Sequence, residues 1–255
     1  MTQERKANDI AGRWKVRICA LIPVYNEARH LESVVKGCLK HVKAAYVVDD
    51  GSTDGSGDIA RKAGAIVLSH PINRGKGAAL RTGFARILNE GRWHGVVVLD
   101  GDGQHDCDEI PRFISYMQDE RYDIVVGNRM GDVRLMPFRR KATNFLSSRI
   151  LSALTGQSIE DSQCGFRLIK TDALKGLVLT TTKFDTESEM LVVAARRERT
   201  IGSLPIATMY GTEKSYVRPV LDTLRFLRVA IRYAFQKGKR TQKLTRRGRR
   251  NAQAG

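Results

Sequence analysis

Two periods alternate along the first half of the chain. Apolar runs at 16–22 (broken by Arg17), 46–48, 65–68 and 96–99 read as short strands buried on both faces. Between them the apolar positions recur at helical spacing. From about Glu27 to His41, the residues Leu31, Val34, Val35, Cys38 and Leu39 share one face, and another helix follows Asn73-Arg74-Gly75-Lys76-Gly77 as far as about Glu90. Strands alternating with helices in this way predict an α/β fold, a mostly parallel sheet with helices on both faces.

The strand ends carry the chemistry. The run Val96-Val97-Val98-Leu99 stops at Asp100-Gly101-Asp102-Gly103-Gln104-His105, and Tyr46-Val47-Val48 stops at Asp49-Asp50-Gly51-Ser52-Thr53-Asp54. In an open parallel sheet, ligands sit at the carboxyl ends of strands. Two carboxylates one glycine apart offer oxygen ligands to a hard cation such as Mg²⁺ or Mn²⁺. Asp-Gly-Asp-Gly is also the composition of a plain turn. The second acidic strand end separates these readings, because a parallel sheet gathers Pro23, Asp49, Asp50, Asp100 and Asp102 along one edge. An EF-hand is excluded by the missing glycine and terminal glutamate, and Gly75-Lys76-Gly77 lacks the flanks of an ATP-binding loop. Further on, the run 124–127 reads as a strand delivering Asn128 and Arg129 to the same edge, and a helix spans about Arg139 to Thr155.

Composition narrows the classes. The chain has 255 residues, 42% of them hydrophobic, enough for one good core with appendages. Cys19, Cys38, Cys107 and Cys164 are widely spaced, fit neither a zinc nor a redox motif, and read as reduced thiols. No apolar run approaches the roughly 20 residues that span a bilayer, and the first residues lack the h-region of a signal peptide. A net charge of +17 asks for an anionic partner. Nucleic acid is not expected, since the basic residues cluster near the end of the chain rather than among stacking aromatics.

Pro23-Val24-Tyr25-Asn26-Glu27, Val47-Val48-Asp49-Asp50-Gly51-Ser52-Thr53-Asp54, Asn73-Arg74-Gly75-Lys76-Gly77 and Leu99-Asp100-Gly101-Asp102-Gly103-Gln104-His105 occur in an order that resembles family 2 glycosyltransferases of the GT-A (Rossmann-like) fold. Val126-Gly127-Asn128-Arg129, Pro137-Phe138-Arg139-Arg140-Lys141 and Asp161-Ser162-Gln163-Cys164-Gly165-Phe166-Arg167 look most like the dolichol-phosphate mannosyltransferase type, which glycosylates polyprenyl phosphates. The resemblance spans about residues 17 to 210.

What it implies is inverting transfer of a hexose from a nucleotide-diphosphate sugar, of the GDP-mannose or UDP-glucose type, to a polyprenyl phosphate with Mn²⁺ or Mg²⁺ as cofactor. By motif match Asp100, Asp102 and Gln104 hold the metal, and His105 is a polar neighbour. Pro23, Tyr25, Glu27, Asp49, Asp50, Lys76 and Gly101 face the donor nucleotide, with Asp50 alternatively facing the metal. Arg129 and Arg140 bind the acceptor phosphate, because a rigid guanidinium fork suits phosphate oxygens. Asn144 stands where many members have a serine completing that site. An ionised phosphate acceptor needs no general base. A hydroxyl acceptor on a sugar, lipid or peptide is the alternative, and it would draw a base from Asp161, Asp185, Glu187 or Glu189.

Residues 1–13 are expected to be loosely ordered, 14–215 to form the catalytic domain, and 216–236 an amphipathic helix. On that helix Val220, Leu224, Leu227, Ile231 and Ala234 oppose Arg225, Arg228 and Arg232. The tail 237–255 is polybasic. Together they are expected to hold a cytoplasmic protein peripherally on an anionic membrane surface.

Overall fold

The computed structural model describes residues 16–120, 122–131, 138–181, 185–207 and 232–233, with the side chains of 138–140 excepted. Its elements are β1 (Ile18–Val24), α1 (Ala28–Leu39), β2 (Ala45–Asp49), α2 (Ser56–Lys62), β3 (Ile66–Ser69), α3 (Lys76–Glu90) and β4 (Gly95–Val98). A 3₁₀ turn (Cys107–Glu109) then leads into α4 (Ile110–Asp119), β5 (Ile124–Asn128), α5 (Phe138–Thr155), β6 (Arg167–Lys170), α6 (Thr171–Leu174), α7 (Asp185–Ala195) and β7 (Ile201–Pro205).

Seven strands form one sheet in the order β3-β2-β1-β4-β6-β5-β7. The mostly parallel α/β sheet read from the sequence is present. The strands β3, β2, β1 and β4 are mutually parallel, as are β5 and β7. The chain steps outward from β1 to β2 and β3, then returns to the other side of β1 as β4. That reversal opens a crevice at the carboxyl ends of β1 and β4, the usual ligand position in such sheets. It also places α3 on the opposite face from α1 and α2. The helix α3 packs on β1, β2, α6 and α7, whereas α1 packs on α2, β2 and the 3₁₀ turn.

Two strands, β6 and β7, have no counterpart in the sequence reading. The strand β6 is inserted between β4 and β5, antiparallel to both, with Arg167 opposite Val98 on one side and Val126 on the other. Because β6 runs backwards, the loop 161–166 that feeds it lies at the edge where β4 and β5 end. The strand β5 remains parallel to β4 and delivers Asn128-Arg129 to that same edge.

Proline 23 does not terminate β1, which runs on to Val24. The even-numbered residues of β1 bond towards β2, as in Ala20 N–H to Ala44 O at 2.8 Å and Asp50 N–H to Val24 O at 2.8 Å. Pro23 therefore faces the β4 side, where pairing has already stopped at Leu21 opposite Val98. Its missing N–H costs no ladder bond, which reconciles a proline with a central strand.

The core is continuous through the sheet. Leu21, Ile22, Leu31, Tyr46, Leu80, Phe113, Ile124 and Phe166 are fully buried, and Phe113 stacks on Phe166 with centroids 4.3 Å apart. Among the described residues no helix is long and apolar enough to cross a membrane. The 216–236 helix and the 237–255 tail lie outside the described residues except at Arg232 and Tyr233. There Tyr233 is buried, its hydroxyl donates to Glu189 Oε1 at 3.1 Å, and Arg232 Nη1 donates to Thr180 Oγ1 at 2.9 Å.

Candidate active site

The loops after β1 and β2 are sewn together. Asn26, whose φ of 58° is in the left-handed region, donates its N–H to Ser52 Oγ at 3.0 Å and accepts at Oδ1 from Thr53 N–H at 2.9 Å. Glu27 N–H donates to Ser56 Oγ and Ala28 N–H to Asp54 Oδ2, each at 3.0 Å. Ser, Asn and Asp make such side-chain-to-backbone bonds readily, so these local residue types build a rigid double loop. Tyr25 stands out from it, 38% exposed. Asp49 Oδ1 accepts from Ser52 N–H at 2.9 Å. Its other oxygen lies against Gly57, where a Cβ would come within 2.6 Å.

The structure gives Asp50 a different task from the nucleotide or metal contact expected of it. The residue is 2% exposed, and its carboxylate meets His70 Nδ1 at 2.5 Å and accepts from Gly75 N–H at 2.7 Å and Arg74 N–H at 3.0 Å. His70 is held on its other side by Thr82 Oγ1 at 2.9 Å. Asp50 thus fixes the turn that starts α3, and hence the place of Lys76.

Lys76 opens α3 and points across the crevice. Its ammonium is 2.5 Å from Asp100 Oδ1 and 3.0 Å from Glu187 Oε1, in the first turn of α7. Burial alone would push the Asp100 carboxyl up, but the Lys76 charge beside it holds it far below the usual carboxylate range. Asp102, by contrast, is raised by burial and by the neighbouring Asp100 charge. Its Oδ1 accepts from Gln104 N–H at 3.0 Å. The His105 ring is buried, tilted against Phe166, with Nε2 3.8 Å from Asp100 Oδ2 and no hydrogen-bond partner at Nδ1. Gly165, from the loop before β6, comes so close to Asp100 that a Cβ there would collide with its carboxylate. Gly101 is buried and a Cβ on it would press on Val24 at 3.1 Å.

Among the described residues no three His, Cys, Asp or Glu side chains are gathered closely enough to hold an ion by themselves. The donor set still fits a divalent cation that takes the rest of its shell from a bound ligand. Two carboxylates share one short loop and repel each other, and Lys76 offsets the charge of one of them. The metal expected at Asp100, Asp102 and Gln104 is therefore compatible with the geometry through the two carboxylates.

On the other side of the crevice, Arg129 and Asn144 both turn to Asp161. Arg129 donates from Nε to Asp161 Oδ2 at 2.8 Å and from Nη2 to Oδ1 at 3.0 Å, a bidentate pair, and its backbone N–H adds a third bond at 3.1 Å. Asn144, 1% exposed, donates from Nδ2 to Asp161 Oδ1 at 2.8 Å. Burial would raise the Asp161 carboxyl, but the Arg129 hydrogen bond and charge bring it below the ordinary value. Asn144 is thus a positioning residue inside the domain rather than an exposed phosphate donor. The Nε–Nη2 edge of the Arg129 fork is thus in use. Arg140 is in the first turn of α5, and its side chain lies outside the described residues.

Two further acids considered as bases are accounted for. Glu189 is fully buried and takes bonds from Thr180 N–H at 2.8 Å, Thr181 N–H at 2.9 Å and both threonine hydroxyls, so it caps the loop before α7. Asp161 is consumed by Arg129. Glu187 presents its carboxylate to Lys76, which also meets Asp100. The sequence reading passed over Arg167. Its guanidinium is 1% exposed and donates to three carbonyls, Ser162 and Cys164 at 2.9 Å and Glu187 at 2.8 Å. It ties the 161–166 loop to the start of α7. Only its place in the Asp161–Arg167 motif marked it in sequence. The sequence reading also passed over Phe145 and Leu146, which are 56% and 54% exposed on the outer face of α5, beside exposed Lys141 and Arg149.

An acidic crevice thus lies at the switch point of a sheet with one antiparallel insertion. The described fold superposes on a Mycobacterium tuberculosis glucosyl-3-phosphoglycerate synthase crystallised with Mn²⁺, UDP and phosphoglyceric acid, with a TM-score of 0.71 at 20% identity over 91% of this chain and 82% of that one. Residues 19–178 match the model of glycosyl transferase family 2, and the chain belongs to that family. It is 32% identical over 224 residues to a UDP-N-acetylglucosamine–dolichyl-phosphate N-acetylglucosaminyltransferase of Methanococcus voltae, covering 79% of this chain and 88% of the relative. It is also 32% identical over 211 residues to protein MJ1222 of Methanocaldococcus jannaschii, covering 80% and 86%.

Proposed function

We propose that this glycosyltransferase moves a sugar, a hexose or N-acetylhexosamine, from a nucleotide-diphosphate donor to the phosphate of a polyprenyl lipid, with inversion, at the cytoplasmic face of an anionic membrane. The observation that carries the lipid acceptor is the outer face of α5. Phe145 and Leu146 stand exposed between Lys141 and Arg149, on the helix that begins with Arg139 and Arg140 and whose Asn144 anchors the Asp161–Arg129 pair. An apolar surface flanked by cations suits a prenyl chain ending in phosphate. The Methanococcus voltae relative, named for a dolichyl-phosphate acceptor, supports the same reading.

Within it, the Tyr25–Glu27 loop and Asp49 take the nucleoside, and Asp100 and Asp102 face the diphosphate. A divalent ion, Mn²⁺ or Mg²⁺, would be held by those two carboxylates and would neutralise the charge that grows on the departing diphosphate. Lys76 adds a second positive charge at the same place. The acceptor phosphate is ionised near neutral pH, so the nucleophile exists without a base. That agrees with Asp161 and Glu189 being tied up structurally. Arg129 orients the acceptor with what remains of its fork, and Arg140 supplies the second guanidinium.

A hydroxyl acceptor is the second reading, and the position of Glu187 favours it. This buried carboxylate 3.0 Å from Lys76 faces the site and would serve as the base an alcohol requires. The test is transfer of labelled sugar from a panel of UDP- and GDP-sugars to polyprenyl phosphate in anionic vesicles. Label should enter the organic phase, disappear with chelator, and fall several-fold in a Phe145→Ser/Leu146→Ser double variant. The variant should keep normal rates on a short, water-soluble prenyl phosphate. Label appearing only in water-soluble glycosides, with loss in Glu187→Gln, would replace the lipid phosphate by a hydroxyl.

A further inference from the structure

Two of the four cysteines, 69 residues apart in sequence, meet between the last turn of α1 and the 3₁₀ turn. Cys38 Sγ in α1 lies 3.7 Å from Cys107 Sγ in the 3₁₀ turn. The approach is built in, because Gly37 has no side chain to obstruct it. A Cβ there would stand 3.0 Å from Cys107 Sγ and 3.1 Å from Cys107 Cβ. A second latch joins the same two elements, His41 Nε2 to Asp108 Oδ1 at 2.7 Å. The other two thiols are sunk in the core against backbone carbonyls, Cys19 on Gly95 and Cys164 on Phe166.

We propose that Cys38 and Cys107 form a reversible intramolecular disulfide when the protein meets a low-molecular-weight disulfide. Cys107 is half-buried and Cys38 fully buried, which assigns their parts. The hydrogen bond from Cys38 lowers the Cys107 thiol below its ordinary value, whereas that bond and burial raise Cys38. Cys107 as thiolate attacks one sulfur of the small disulfide, forming a mixed disulfide and expelling one small thiolate. Cys38 then loses its proton and attacks the Cys107 sulfur, forming the internal bond and expelling the second. Two protein S–H bonds are lost, one S–S bond forms, and the small disulfide is reduced to two thiols that take up the two protons. The bond would fasten the turn following Asp100–Gln104 to the helix following Tyr25–Glu27.

The full chain, incubated with oxidised glutathione at pH 8, should go from four titratable thiols to two under denaturing conditions. Non-reducing peptide mapping should link the segments carrying Cys38 and Cys107, and dithiothreitol should restore all four thiols. The oxidised form should melt about 5 °C higher, the effect of closing a long loop. Cys38→Ser should stop at a glutathione adduct on Cys107, and Cys107→Ser should keep its three thiols. Four unreacted thiols in the wild type, a bridge between any other pair, or a lasting adduct on wild-type Cys107 would overturn the proposal. The wild-type map decides it even where a variant folds poorly.

Discussion

The two halves of the crevice, to which the proposed function assigns donor and acceptor, are built on opposite plans. In the donor half, β1 to β4, mostly half-exposed or exposed polar residues of one loop satisfy those of the next. Asn26, Ser52, Asp54 and Ser56 staple neighbouring turns, and Asp50 holds the turn that begins α3. In the acceptor half, β5 to β7, the polar groups are charged and almost fully buried. Arg129 needs Asp161, Arg167 needs carbonyls at 162, 164 and 187, and Glu189 needs the 180–181 loop. One half can therefore lose a carboxylate at its mouth and keep its shape. The other cannot lose a charge without losing structure as well.

The largest effect that follows is on turnover. Asp102→Asn should lower transfer at least about 100-fold, because the cation loses a charged ligand. Asparagine keeps the oxygen that accepts from Gln104, so the melting temperature should shift by less than about 2 °C. In the acceptor half the order reverses. Arg167→Met strands three buried carbonyls and should cost about 3–5 kcal/mol of stability in urea unfolding. A cost below 1 kcal/mol would mean the halves do not differ as described. Asp161→Asn sharpens the contrast, since it keeps the shape but unpairs a buried guanidinium. It should cost about 3 kcal/mol and raise the acceptor KM about tenfold while leaving the donor KM in place. Equal changes in both KM values would show that Asp161 serves the whole crevice.

The smallest effect is in acid. Burial works against the Glu90 carboxylate, but hydrogen bonds from Tyr46, Trp93, Arg86 and Arg92 lower it to about 2. Glu189 and Asp161 are lowered as well. A carboxyl lowered in the folded state stabilises above its unfolded value near 4.5 and ceases to do so as pH falls towards its folded value. Stability should therefore decline from about pH 4.5 towards pH 2, and Glu90→Gln should make that decline shallower without changing transfer at pH 7.

The same contrast governs what the sequence discloses. The donor half is legible because its apolar runs, acidic strand ends and turn residues can each be recognised within one short stretch. Strand ends fell within a residue or two, and Asp49, Asp100 and Asp102 line the expected edge. Asp50 is at that edge too, yet its inward turn towards His70 depends on a partner 20 residues away. In the acceptor half, the four-residue β6 has an apolar pair between Arg167 and Lys170, too short to register as a run. Without β6 the motif Asp161–Arg167 reads as a loop over the acceptor rather than as the hinge of a buried network. Asn144 read as a phosphate donor for the same reason, since its partner Asp161 is 17 residues away on another element. The two cysteines were unreadable as a pair for a related reason, because spacing along the chain carries no record of which turns meet in space.

The backward strand also sets a timetable. During synthesis the four parallel strands emerge first and can associate in order, β2 beside β1 and β4 on its other flank. The outer edge of β4 then stays unpaired, an apolar template, until Arg167–Lys170 leaves the ribosome about seventy residues later. The strand β5, made in between, has no partner either until β6 arrives to join it to β4. The nascent enzyme thus completes its nucleotide side well before its acceptor side, and a late-arriving hairpin-like wedge, not the first-made core, seals the sheet.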